Sequence, residues 1–118
     1  MLALLVFLTA CTTNTFTYSG ESENWSANLK VIHTSDDLET EEFKLEYKGT
    51  DIDSVGEITY RVVTSGSFER SGAALEKNGT LTYSNEANQT HSKVTEHTEA
   101  EVTVEWNDNK ETFSLDRQ

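Results

Sequence analysis

The sequence predicts an all-β protein: an antiparallel two-layer sandwich of the immunoglobulin-like type with seven to eight short strands, or alternatively a small β-barrel. Three observations lead there. Apolar residues alternate with polar ones at a period of two, the runs have the length of strands, and clusters of Gly, Asn, Asp and Ser separate them. The 118 residues suit one domain with one core.

The first element in chain order is not a strand. Residues 1–10 form an uncharged apolar run ending at Ala10-Cys11, far shorter than the roughly 20 residues a helix needs to span a bilayer. It reads as a signal segment, and residues 11–15 as a short polar linker. The domain is expected over 16–118. Trp25, Ala27, Leu29 and Val31 point inward while Ser26, Asn28 and Lys30 point out. Phe43, Leu45 and Tyr47 alternate with Glu42, Lys44, Glu46 and Lys48, the pattern of a strand with one buried and one wet face. Gly49-Thr50-Asp51 then turns the chain. Ile58, Tyr60 and Val62 form the next strand, and Val102, Val104 and Trp106 a later one. Asn107-Asp108-Asn109-Lys110 leads to Phe113 and Leu115, a hairpin whose Asn/Asp turn tolerates positive φ. Shorter strands are expected at Ser67–Arg70, Thr80–Ser84 and His91–Glu96, and one helical turn is an option at Ala73–Lys77. Trp25 and Trp106 supply the largest apolar surfaces of the core.

Charge excludes one class of partner. With 21 acidic and 9 basic residues the net charge is −12, so the surface repels phosphate backbones, and no nucleic-acid partner is expected. The acidic residues at Asp36-Asp37, Glu39, Glu41-Glu42, Asp51 and Asp53 lack the spacing of an EF-hand loop and read as a solvated face, with weak calcium binding as the sharper alternative. No metal is expected. His91 and His97 sit about 20 Å apart on an extended strand, and His33 is distant, so the histidines read as surface residues. Ser65-Gly66-Ser67 and Ser71-Gly72 lack a nucleophile-elbow pattern, so neither catalytic residues nor a cofactor are expected. The alternative is a cell-wall-acting hydrolase using paired carboxylates, which leave no linear trace. The strings at Asn24, Asn78 and Asn88 read as turn residues.

Cys11 is the one cysteine, which rules out an internal disulfide. Leu8-Thr9-Ala10-Cys11 resembles the bacterial lipobox. That resemblance implies cleavage between Ala10 and Cys11, lipid on the Cys11 thiol and anchoring at the extracytoplasmic face of the cell membrane, where two acyl chains such as palmitate hold stably. No lysine or arginine precedes the apolar run, a departure from the family that leaves room for a start upstream of Met1. The run Gly20-Glu21-Ser22 before Trp25, with Tyr47-Lys48-Gly49 and Glu105-Trp106-Asn107, resembles small uncharacterised lipoproteins of Gram-positive bacteria. This likeness implies a class and a location but no activity. Glu21, Glu23 and Trp25 form the candidate binding site, against the plainer reading of a turn followed by a core tryptophan. The expected function is a membrane-anchored binding module for an envelope protein or a cell-wall component, with a structural or stress-associated envelope component as the alternative.

Overall fold

The computed structural model describes residues 14–34, 38–88 and 94–118. Eight antiparallel strands carry the fold: β1 (Asn14–Glu21), β2 (Trp25–His33), β3 (Leu38–Tyr47), β4 (Ile58–Val63), β5 (Ser67–Ala73), β6 (Thr80–Asn88), β7 (Ala100–Trp106) and β8 (Asn109–Arg117). They form a single sheet in the order β5-β4-β7-β8-β1-β2-β3-β6. The sheet curls. β5 and β6 lie at its opposite ends, yet the rings of Phe68 and Tyr83 are 4.9 Å apart. Two four-stranded halves therefore face each other like the layers of a sandwich, while the β1–β8 join makes them one half-barrel. That join is short, with Tyr18 opposite Arg117, Ser19 opposite Asp116 and the Gln118 main-chain N–H donating to Thr17 O at 2.8 Å.

Alternation places the core. Along β2 the residues Trp25, Ala27, Leu29 and Val31 are buried, and along β4 and β7 so are Ile58, Tyr60, Val62, Val102 and Val104. Phe43 and Leu45 are buried on β3, whereas Tyr47 is half-buried against Trp25. The halves interlock through Trp25 on Trp106 at 5.3 Å and Phe43 on Tyr60 at 5.4 Å. Full burial of an aromatic or branched side chain contributes roughly 1.5–3 kcal/mol, so these inward rows hold the halves together. The β7–β8 turn is a two-residue loop, closed by Trp106 opposite Asn109, with positive φ at Asn107 and Asp108. This is the hairpin geometry that Asn and Asp accept at low cost.

Three local expectations need correction. β1 was not expected, and it begins inside the stretch read as linker, because Phe16 and Tyr18 share a face with the inward residues of β2. No strand covers Val94 to Glu96. Glu96 and His97 form a turn, and Val94 is buried by docking rather than by pairing, while His91 lies outside the described residues. Ala73–Lys77 contains no helical turn, since Ala73 closes β5 and Lys77-Asn78 turns the chain into β6. The one helical turn described is a 3-10 turn at Ile52–Ser54.

Candidate functional site

The strands end at two poles. One pole carries the start of β1 and the end of β8, and the other carries the β1–β2 and β7–β8 turns. The turn pole is pinned by side chains. Glu111 shares the inward face of β8 with Phe113 and Leu115, so its carboxylate caps the core where the strand meets the turn. The Ser22 hydroxyl and the Asn24 main-chain N–H (3.1 Å) donate to its Oε1, and Asn24 Nδ2 donates to its Oε2 at 2.6 Å. Burial opposes the charge on Glu111, but these bonds and the Lys48 charge outweigh it and hold the carboxyl below its usual range. Lys48 fastens the turn from the other side. Its main-chain N–H donates to Asn24 O at 2.8 Å and its Nζ to Ser22 O at 2.9 Å. The same Nζ lies 2.8 Å from Glu21, whose carboxyl its hydrogen bond and charge hold down.

The three candidate binding residues do not share one surface. Glu21 and Glu23 are exposed, while Trp25 is 0% exposed between Tyr47 and Trp106. Trp25 is a core residue, and its indole Nε1 has no hydrogen-bond partner among the described residues. Ala10 and Cys11 lie outside the described residues. Sequence reading missed Ser22, Asn24, Lys48 and Glu111 as one network. A signal was present, because Glu111 falls in the inward series that continues through Phe113 and Leu115.

A concavity of about 410 Å³ opens at the β7–β8 turn of the same pole, lined by Glu57, Gly72, Glu105, Trp106, Asp108 and Lys110 among others. Ser71 and Gly72 of β5 stand opposite Thr59 alone, a bulge with Gly72 at φ +67°, and Thr59 and Gly72 line the concavity at this point. Carboxylates and amides at its rim suit a ligand that donates hydrogen bonds or carries positive charge. Among the described residues no three His, Cys, Asp or Glu side chains are arranged to hold a metal.

The opposite pole corrects the readings of His33 and of the acidic run. His33 continues the inward series of β2 and is 4% exposed, not a surface residue, with Nε2 2.7 Å from Glu39 Oε2. The same Glu39 oxygen accepts the Val94 main-chain N–H at 2.9 Å, which draws Val94 into the core. Glu39 and Glu41 are likewise buried, while Glu42 points outward, so the run is split between two faces of β3 and is not one solvated face. Burial pushes the Glu41 carboxyl up against the Asn85 hydrogen bond, and neighbouring Glu39 adds to the rise. Asp51 and Asp53 are exposed at the 3-10 turn, Asp36 and Asp37 lie outside the described residues, and His97 is exposed as expected.

Fold and site together define a small antiparallel β protein with short, pinned turns at one pole and a buried acid–base cluster at the other. No family model matches the chain, and no curated protein or solved structure matches it.

Proposed function

We propose that this chain is an envelope lipoprotein, tethered by lipid on Cys11, whose β domain is a binding module that meets its partner at the turn pole. The observation that carries this reading is the separation of the poles. β1 starts at Asn14, three residues beyond Cys11, and the β1–β2 turn lies at the far end of the strands. Eight or nine residues of strand at about 3.3 Å each set that turn roughly 25–30 Å from the tethered pole. A tether at one pole leaves the other facing outward.

Pinned loops bind well because little conformational freedom remains to be lost on binding. The Glu111 and Lys48 contacts supply that rigidity around Ser22–Asn24. The concavity at the neighbouring β7–β8 turn favours a partner with amine or hydroxyl donors, which fits an envelope protein or a cell-wall component. A net charge of −12 argues against nucleic acid. No helix among the described residues is long and apolar enough to cross a membrane, so in this reading the attachment is the lipid.

The test is capture of partners from native envelope by the full chain, alongside a screen against cell-wall fragments, peptides and divalent ions. A partner lost on changing Glu23, Glu57 or Asp108, with β structure retained, supports the module. Turnover of a wall or peptide substrate abolished by one carboxylate substitution replaces it with a hydrolase. Neither result at high protein concentration favours a structural or stress-associated component.

A further inference from the structure

Among the described residues the curled sheet has two unpaired edges, β5 and β6, and they differ. β5 is seven residues long, bends at the Gly72 bulge, and carries the charges of Glu69 and Arg70. Bulges and charges are the usual devices that keep an edge from pairing. β6 lacks them. It keeps an unbroken register with β3, from Thr80 opposite Glu46 to Asn88 opposite Leu38, and its one charged residue is Glu86.

The free side of β6 can be read from its hydrogen bonds. Gly79 O accepts from Tyr47 N toward β3 at 2.9 Å, while Thr80 O accepts from Glu76 N at 2.8 Å on the other side. Main-chain groups of alternate residues point to opposite sides of a strand. Thr82, Ser84 and Glu86 therefore turn their N–H and C=O groups to the open edge. A groove of about 450 Å³ runs along the outer face beside them, lined by Lys30, Glu42, Lys44, Thr82 and Ser84 among others.

We propose that this edge is a homotypic interface, in which β6 of one copy pairs antiparallel with β6 of a second copy about a two-fold axis at Ser84. Charge selects that register. Any register that keeps the faces aligned shifts in steps of two residues. With Ser84 at the centre, the second copy's Glu86 stands opposite Thr82, and Thr82 is already paired with Lys44 on β3. Lys44 and that Glu86 then flank Thr82 in one row on the outer face, within mutual reach across the groove. The two-fold repeats the contact. A shift of two residues one way sets the second copy's Glu86 in the row of Glu46 and Thr80, and the other way in the row of Glu42 and Ser84. Both neighbouring registers place two carboxylates in one row on either side of a single Thr or Ser, a like-charge repulsion where the chosen register has an attraction. The self-complementary arrangement makes a second copy the occupant that the edge fits. The two-fold also reverses the strands, so tethered copies would meet from facing surfaces, although the pairing itself does not depend on the tether.

Sedimentation of the full chain in mild detergent at about 0.15 M salt, where exposed charges interact over about 8 Å, tests the pairing. The wild type is expected to dimerise reversibly. Glu86→Lys and Lys44→Glu should each weaken the dimer at least about tenfold, and the double charge swap should restore it. Glu69→Lys on β5 should leave it unchanged. Ser84→Cys should crosslink two copies with a short bis-maleimide, the parent chain with its single Cys11 serving as blank, and this reading stands even where a charge variant fails to fold. A chain that stays monomeric, a dimer indifferent to both reversals, a double variant no better than the singles, or a Ser84→Cys crosslink to a different protein would each overturn the proposal.

Discussion

Replacing Glu111 with alanine removes three hydrogen bonds from the turn pole at once, those from the Ser22 hydroxyl, the Asn24 main-chain N–H and the Asn24 side-chain amide. Bonds to a charged acceptor contribute about 1.5–3 kcal/mol each where water is excluded, but this site is partly open and water replaces part of the loss. A net cost of about 2 kcal/mol follows, which for a domain of this size lowers Tm by roughly 10 °C. The pH dependence gives the sharper signature. The folded carboxyl titrates below its ordinary value of 4.5, so its contribution is fully present above that value and fades as pH falls through the lowered one. The gap between wild type and Glu111→Ala should therefore be widest near neutrality and close in strong acid. Thermal unfolding followed by tryptophan fluorescence at several pH values measures it, and Trp25 and Trp106 report from just beneath the turn. Loss of Asn24 should not add to the loss of Glu111, because the two share one network. A gap under about 0.5 kcal/mol, or one that does not change with pH, would show that Glu111 does not pin the turn.

Gly20→Ala should destabilise by about 1–3 kcal/mol in urea unfolding, because a Cβ there would meet the Ser114 carbonyl oxygen at 2.2 Å, where β1 crosses close to β8. A neutral result would mean that the β1–β8 join has slack. His33→Ala should cost about 1–3 kcal/mol, since it leaves the buried Glu39 carboxyl without its 2.7 Å hydrogen-bond partner, and hydrogen exchange should rise first at the Val94 amide. Glu41→Gln should stabilise relative to wild type above the carboxylate range. There the raised pKa makes the buried charge unfavourable, and the advantage should vanish as pH falls and Glu41 takes up its proton. Trp25→Ala should cost about 3–5 kcal/mol, enough to threaten folding of a small domain, and a cost under about 1 kcal/mol would remove it from the core.

Period-two alternation made β2, β3, β4, β7 and β8 legible, because each has one buried and one wet face and several consecutive inward apolar residues. β1 was missed because Phe16 and Tyr18 stand alone among Thr, Asn and Ser, and only pairing with β2 and β8 marks them as inward. The turn before Trp25 and the Asn-Asp hairpin carried local signals that survived folding. What could not be read was the polar interior. His33, Glu39, Glu41 and Glu111 look like surface residues by type, yet each extends an inward series already visible in its strand. Their burial depends on partners distant in sequence, such as Val94 for Glu39 and Asn24 for Glu111, and such pairings follow from topology rather than from composition. The turn-pole network was out of reach for the same reason, since it joins β8 to a turn 87 residues away.

The proposed tether at Cys11 is what would turn the β1–β2 pole outward, and mass spectrometry of the amino-terminal peptide from membrane-extracted chain tests it most directly. The account predicts a chain that begins at Cys11 with diacylglycerol on the thiol, and a Cys11→Ala variant that leaves the membrane fraction. A chain that retains residues 1–10 with a free Cys11 thiol would contradict it.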